Sequence, residues 1–130
     1  MPHLHIEYSA GLSVRADIAA LCRAAHGAMA QAGIFPLAGI RVRAFQADHA
    51  IVSDGLPEND FCALTLSVGA GRTKADLAAA GTLIFTAVQA ALAAPLSTPY
   101  FALSLEIREI DPDLSWKDTP IHARLSGKAI

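Results

Sequence analysis

Shifted along itself by 59 positions, this chain matches its own course, and that match restricts its fold more than any other feature. Arg15-Ala16-Asp17-Ile18-Ala19-Ala20 falls on Lys74-Ala75-Asp76-Leu77-Ala78-Ala79, and at the same shift Pro36-Leu37 falls on Pro95-Leu96. Alanine-rich helices can match by accident, but here a proline stop keeps register with each of them. The pattern is that of a duplicated βαβ unit of about 60 residues. Each unit holds two parallel strands crossed by one helix. Two units then give a four-stranded sheet with both helices on one face, an α+β architecture. Nothing in the chain is left to cover the other sheet face, so a further copy of the chain is the expected cover. The 130 residues form one expected domain, with halves at 1–58 and 59–110 and a C-terminal arm at 111–130.

Within the first unit, His3-Leu4-His5-Ile6-Glu7-Tyr8 alternates as a strand, with Leu4 and Ile6 on one face and His3, His5 and Glu7 on the other. Ser13 is placed to cap a helix reaching about Ala32, with Val14, Ile18, Leu21, Cys22, Ala25 and Met29 as its apolar stripe. Gly33 and Pro36 end it. A second strand starts near Ile40 and runs into the fifties, and Asp54 to Asn59 is turn chemistry. In the second unit, Phe61 to Val68 reads as a strand and Gly69-Ala70-Gly71-Arg72 as the turn after it. Thr73 and Asp76 form a capping pair for a helix reaching about Ala93, and Tyr100 to Ile110 is the last strand. The arm, with Trp116, Ile121 and His122, is expected to wrap a neighbouring surface.

Composition narrows the function classes. Hydrophobic residues make up 53% of the chain and the mean hydropathy is +0.39, yet charges interrupt every apolar run. No run reaches the roughly 18 residues of a membrane-spanning helix, so the excess apolar surface points to a subunit interface. A net charge of −2 argues against nucleic acid or an anionic membrane as partner. No secretory leader pattern opens the sequence, and Cys22 and Cys62 are lone, distant thiols, which suits the cytoplasm.

The candidate chemistry begins at Met1-Pro2. A start methionine ahead of a residue as small as proline is normally removed, which would leave a strand beginning with a secondary amine. An α-amino group titrates near roughly 7.7–8.0, so desolvation or nearby cations can make it a neutral base at working pH. Candidate partners are Arg72, at a helix start that favours an anion, and Arg41 and Arg43, two apart on one strand face. An amine with such arginines suits an anionic carbon acid, because guanidinium binds carboxylate bidentately and stabilises charge developing on a carbonyl oxygen. The repeat makes the site one-sided: Pro2 aligns with Phe61 and Ser13 with Arg72. His3 and His5 share a strand face, but no third ligand is close in sequence, and no metal is expected.

Three stretches give the chain a family resemblance. Pro2-His3 with Glu7, the block Gly33-Ile34-Phe35-Pro36-Leu37-Ala38-Gly39-Ile40-Arg41, and Gly69-Ala70-Gly71-Arg72 resemble the 5-carboxymethyl-2-hydroxymuconate isomerase family of the tautomerase superfamily. Asp111-Pro112-Asp113-Leu114 and Ile121-His122-Ala123 are similar to the family's ending, and the departures lie in the first helix and in Asp54 to Asp60. The resemblance implies a tautomerase-like homotrimer enclosing a barrel-like core. It implies an isomerase without cofactor or metal, acting on a small anionic carboxylate in aromatic-acid (homoprotocatechuate) degradation. In that scheme Pro2 is the general base, Arg41 and Arg72 bind carboxylate and stabilise charge, and Arg43 is a further substrate-binding candidate whose position could equally serve structure. Other readings of the same residues are a tautomerase, hydratase or dehalogenase for another unsaturated acid, or a non-catalytic trimer that binds a ligand.

Overall fold

The computed structural model describes residues 1–127. Four strands, β1 (His3–Ser9), β2 (Arg41–Ala47), β3 (Asp60–Gly69) and β4 (Phe101–Ile110), form one sheet in the order β2-β1-β3-β4. The pairs β1–β2 and β3–β4 are parallel, and β1–β3 is antiparallel. The helices are α1 (Ile18–Gln31), α2 (Lys74–Ala91), and the short α3 (Ala93–Leu96) and α4 (Pro120–Leu125). Two βαβ units therefore stand side by side, joined antiparallel along their first strands.

Alternation along the strands decides which face meets the helices. Leu4, Ile6, Leu64, Leu66 and Val68 are fully buried or nearly so, against Leu21, Met29, Ile84 and Val88 of α1 and α2. Each such side chain contributes about 1.5–3 kcal/mol by leaving water, so this layer holds the units together. The opposite face is polar and partly exposed. Its register sets Arg41, His3, Ser67 and Arg108 in one row and Arg43, His5, Thr65 and Glu106 in the next. Cys62 lies under the helices, and burial pushes its thiol up to about 12, which leaves it unreactive near neutral pH.

Two expectations about boundaries are corrected. Ser13 does not cap α1. Its hydroxyl donates to the Ala10 carbonyl within a 3₁₀ turn (Ala10–Val14), and Asp17 is the N-cap, accepting from the Ala20 amide at 3.0 Å. The repeat explains the difference. Val14 occupies the place of Thr73, which caps α2 by accepting from the Asp76 amide, and a valine side chain cannot accept. The first helix must begin one turn later. Likewise β2 ends at Ala47 and does not reach the fifties, because β1, its one strand neighbour among the described residues, ends at Ser9 and the ladder runs out there.

At that end of the sheet a buried carboxylate ties the units together. Ser9 Oγ donates to Asp60 Oδ1 at 2.7 Å and accepts from the Phe61 amide at 3.0 Å. Asp60 Oδ2 has no aligned hydrogen-bond donor among the described residues and faces the Arg15 guanidinium at 3.3 Å. Removing one partner of a buried pair strands the other charge, at a cost of about 3–5 kcal/mol. Arg15 keeps 35% of its side chain exposed, so Arg15→Ala is expected to lower stability by about 2 kcal/mol after allowing for solvent screening. Urea unfolding measures this directly, and an unchanged midpoint would show that the pair contributes nothing.

Candidate active site

The opposite end of β1 carries the candidate chemistry, and the antiparallel joint of the two units builds it. Because β1 and β3 run in opposite directions, with His3 beside Ser67, the start of the chain lies next to the end of β3 and the Gly69–Arg72 turn. Parallel pairing on the other side sets His3 beside Arg41. Arg41 and Arg72, 39 and 70 positions from Pro2 in sequence, thus meet it at one sheet end. Pro2 is fully buried there, and its carbonyl accepts from the Arg41 amide at 3.1 Å. A Cβ on Gly39 would stand 3.0 Å from Pro2 Cδ, so any larger residue in the turn before β2 would make the proline ring give by a few tenths of an ångström.

Both arginines are held by backbone carbonyls. Arg41 Nη1 donates to the carbonyls of Gly39 at 3.0 Å and Ala38 at 3.3 Å, and contacts Met1 Sδ at 3.4 Å. Arg72 Nε donates to the Ile34 carbonyl at 3.0 Å and its Nη1 to the Gly69 carbonyl at 3.3 Å, while its guanidinium lies 5.1 Å from the Phe35 ring centroid. Gly71, at φ +116°, makes the turn that delivers Arg72. Each guanidinium uses only part of its donor set on these carbonyls, leaving N–H groups for an anion.

The field at this point is strongly positive. Burial lowers the pKa of the Met1 amine first, and the cations of Lys117, Arg72 and Arg41 lower it further. His3 is held below its ordinary value by burial, then by Arg43, Arg41, the chain terminus and Lys117. Arg43 Nη1 lies 3.1 Å from His3 Nδ1. A guanidinium can only donate, so Nδ1 is the unprotonated nitrogen and the ring carries its proton on Nε2. Arg43 is therefore the more exposed arginine of the pair, braced by a histidine, while Arg41 lies against the start of the chain.

Of the residues singled out from sequence, Pro2, Arg41 and Arg72 come together and Arg43 sits one row further along the sheet. Lys117, Phe35 and the His3 brace are additions. Phe35 lies inside the Gly33–Arg41 block, which could have suggested it. Lys117 sits in a polar tail with no local pattern to mark it.

The family model described as 5-carboxymethyl-2-hydroxymuconate isomerase matches residues 2–125. The chain belongs to that family. It is 36% identical over 123 residues to the 5-carboxymethyl-2-hydroxymuconate Delta-isomerase of Escherichia coli, covering 95% of this chain and 98% of the relative. A 5-carboxymethyl-2-hydroxymuconate isomerase from Deinococcus radiodurans R1 superposes with a TM-score of 0.88 at 33% identity, over 95% of this chain and 93% of that one. A fused 4-OT described as a symmetric trimer shares the fold at a TM-score of 0.65 and 17% identity, over 89% of this chain and 93% of that one. The tautomerase-like α+β fold expected from the repeat and the resemblance is the one observed.

Proposed function

We propose that this isomerase converts 5-carboxymethyl-2-hydroxymuconate to its conjugated 2-oxo tautomer, with Pro2 as the base once Met1 has been removed. The observation that carries this reading is the convergence of the chain start, Arg41 and Arg72 at one sheet end, in a field that lowers the pKa of an amine. While Met1 is attached, the Pro2 nitrogen is an amide and cannot take a proton. Loss of Met1 turns it into a secondary amine and frees the Arg41 N–H that now meets the methionine sulfur.

The step closes without a co-reactant. The Pro2 nitrogen takes the proton of the 2-hydroxyl, and the O–H electrons become the C2 carbonyl. The two double bonds of the diene shift into one between C3 and C4, and C5 receives the proton from the proline ammonium. Nothing is oxidised or reduced overall and the base is regenerated, so neither cofactor nor metal enters. Arg41 and Arg72 bind carboxylate and stabilise the negative charge that develops along the dienolate. Arg43 supports the same charge from the next row, braced by His3.

The same reading makes the chain a single tautomerase-like domain that works as a homotrimer, with the polar sheet face turned inward. The likeness to a fused 4-OT described as a symmetric trimer supports this. Among the described residues no helix is long and apolar enough to cross a membrane. The reading places the enzyme in the cytoplasm, where free thiols such as Cys22 and Cys62 persist, in aromatic-acid (homoprotocatechuate) degradation.

The test is ultraviolet-monitored ketonisation of 5-carboxymethyl-2-hydroxymuconate by protein whose intact mass proves that Met1 is absent. Fast turnover is expected, with an acid limb in kcat/KM below the ordinary α-amino range. The sign follows from the base form being active: burial and three cations lower the pKa of the Met1 amine, and a Pro2 amine one residue along is expected to meet the same cations, so activity persists to lower pH. Turnover no faster than the uncatalysed rate would overturn the assignment.

A further inference from the structure

The C-terminal arm does not lie idle beside this site. Its helix α4 packs on the turn at Leu37–Gly39, and His122 and Leu125 line a small cavity together with Pro36, Leu37 and Ala38. That turn is the segment whose Gly39 closes on the Pro2 ring. Lys117 stands three residues ahead of α4, and its charge acts on the start of the chain. Its ammonium is near enough to be the strongest charge acting on the Met1 amine, ahead of Arg72 and Arg41. Lys117 is exposed and forms no ion pair among the described residues. A cation carried on a four-carbon stem and without a carboxylate partner is free to take one from a ligand.

Charge count says which carboxylate. 5-Carboxymethyl-2-hydroxymuconate is a tricarboxylate, one carboxylate richer than unsubstituted 2-hydroxymuconate. Arg41 and Arg72, each fixed on the scaffold by backbone carbonyls, suit the two end carboxylates common to both compounds. We infer that Lys117, delivered by the docked arm, binds the carboxymethyl carboxylate and so selects the tricarboxylate over the dicarboxylate. This inference rests on the proposed isomerase reading and adds a specificity residue to it.

The test compares Lys117→Gln with the parent enzyme on both substrates, at a pH above the acid limb so that a change in the amine pKa does not enter. For the tricarboxylate, kcat/KM is expected to fall roughly ten- to a hundredfold, mostly through KM, the range of one lost hydrogen bond to a charged group. For 2-hydroxymuconate the fall is expected to stay within about threefold, and Lys117→Arg should recover most of the loss on the tricarboxylate. An equal loss on both substrates, or no loss on either, would overturn the assignment of Lys117 and leave the isomerase reading standing. A parent enzyme that turns over neither compound would overturn both.

Discussion

Pro2→Ala is expected to lower kcat/KM for ketonisation by about 10²–10⁴-fold, the range supplied by a positioned general acid–base group. Alanine still permits removal of Met1, so the variant keeps a terminal amine, but one without the ring that fixes its direction. The Pro2 ring is fully buried and its Cδ packs against Gly39. Losing it leaves a primary amine on a freer stem, more open to water and worse aligned with the enol. The carbonyl of residue 2 still accepts from the Arg41 amide, because that bond is between backbone groups. The fold and the oligomer should therefore persist, with a stability loss of about 1–2 kcal/mol for the missing ring atoms. Intact mass, sedimentation and ketonisation rate on one sample separate these effects. Full activity in a correctly processed variant would remove Pro2 from the mechanism.

Arg72→Ala is expected to cost about 10²–10³-fold in kcat/KM, the size seen when one preorganised donor to a developing anion is removed. Two backbone carbonyls and the Phe35 face hold this guanidinium in place before any substrate arrives, so no reorganisation is needed during the reaction. Arg72→Lys should recover only part of the activity, since a lysine cannot satisfy Ile34, Gly69 and a carboxylate with the same planar fork. The pH profile provides a second readout. Arg72 is among the cations that lower the pKa of the Met1 amine; if it acts likewise on the Pro2 amine, its loss raises that value and moves the acid limb of kcat/KM upward. The deficit should be larger near about pH 6 than near about pH 8. Unchanged kinetics at both values would place Arg72 outside the site.

Local sequence patterns were enough to define the two units and their faces. The 59-residue repeat predicted two βαβ halves, and alternation in His3 to Tyr8 assigned Leu4 and Ile6 to the core and His3 and His5 to the other face. These are local properties, set by a period of two in strands and 3.6 in helices. Thr73 was legible as a cap for the same reason, while Ser13 misled because a hydroxyl near a helix start says nothing of the 3₁₀ turn that buries Leu12. The pairing of Arg41 with the start of the chain followed from parallel strands within one unit.

How the two units join was settled by packing alone. Their antiparallel contact brings the Gly69–Arg72 turn to Pro2. The pseudo-equivalent end, where Ser9 and Asp60 meet Arg15, becomes a structural tie. Docking of α4 on Leu37–Gly39 then adds Lys117. No local pattern encodes such long-range contacts, because they are selected by which buried surfaces fit once the elements exist. The chemistry was thus written in residue types, and its assembly into one place was settled by packing.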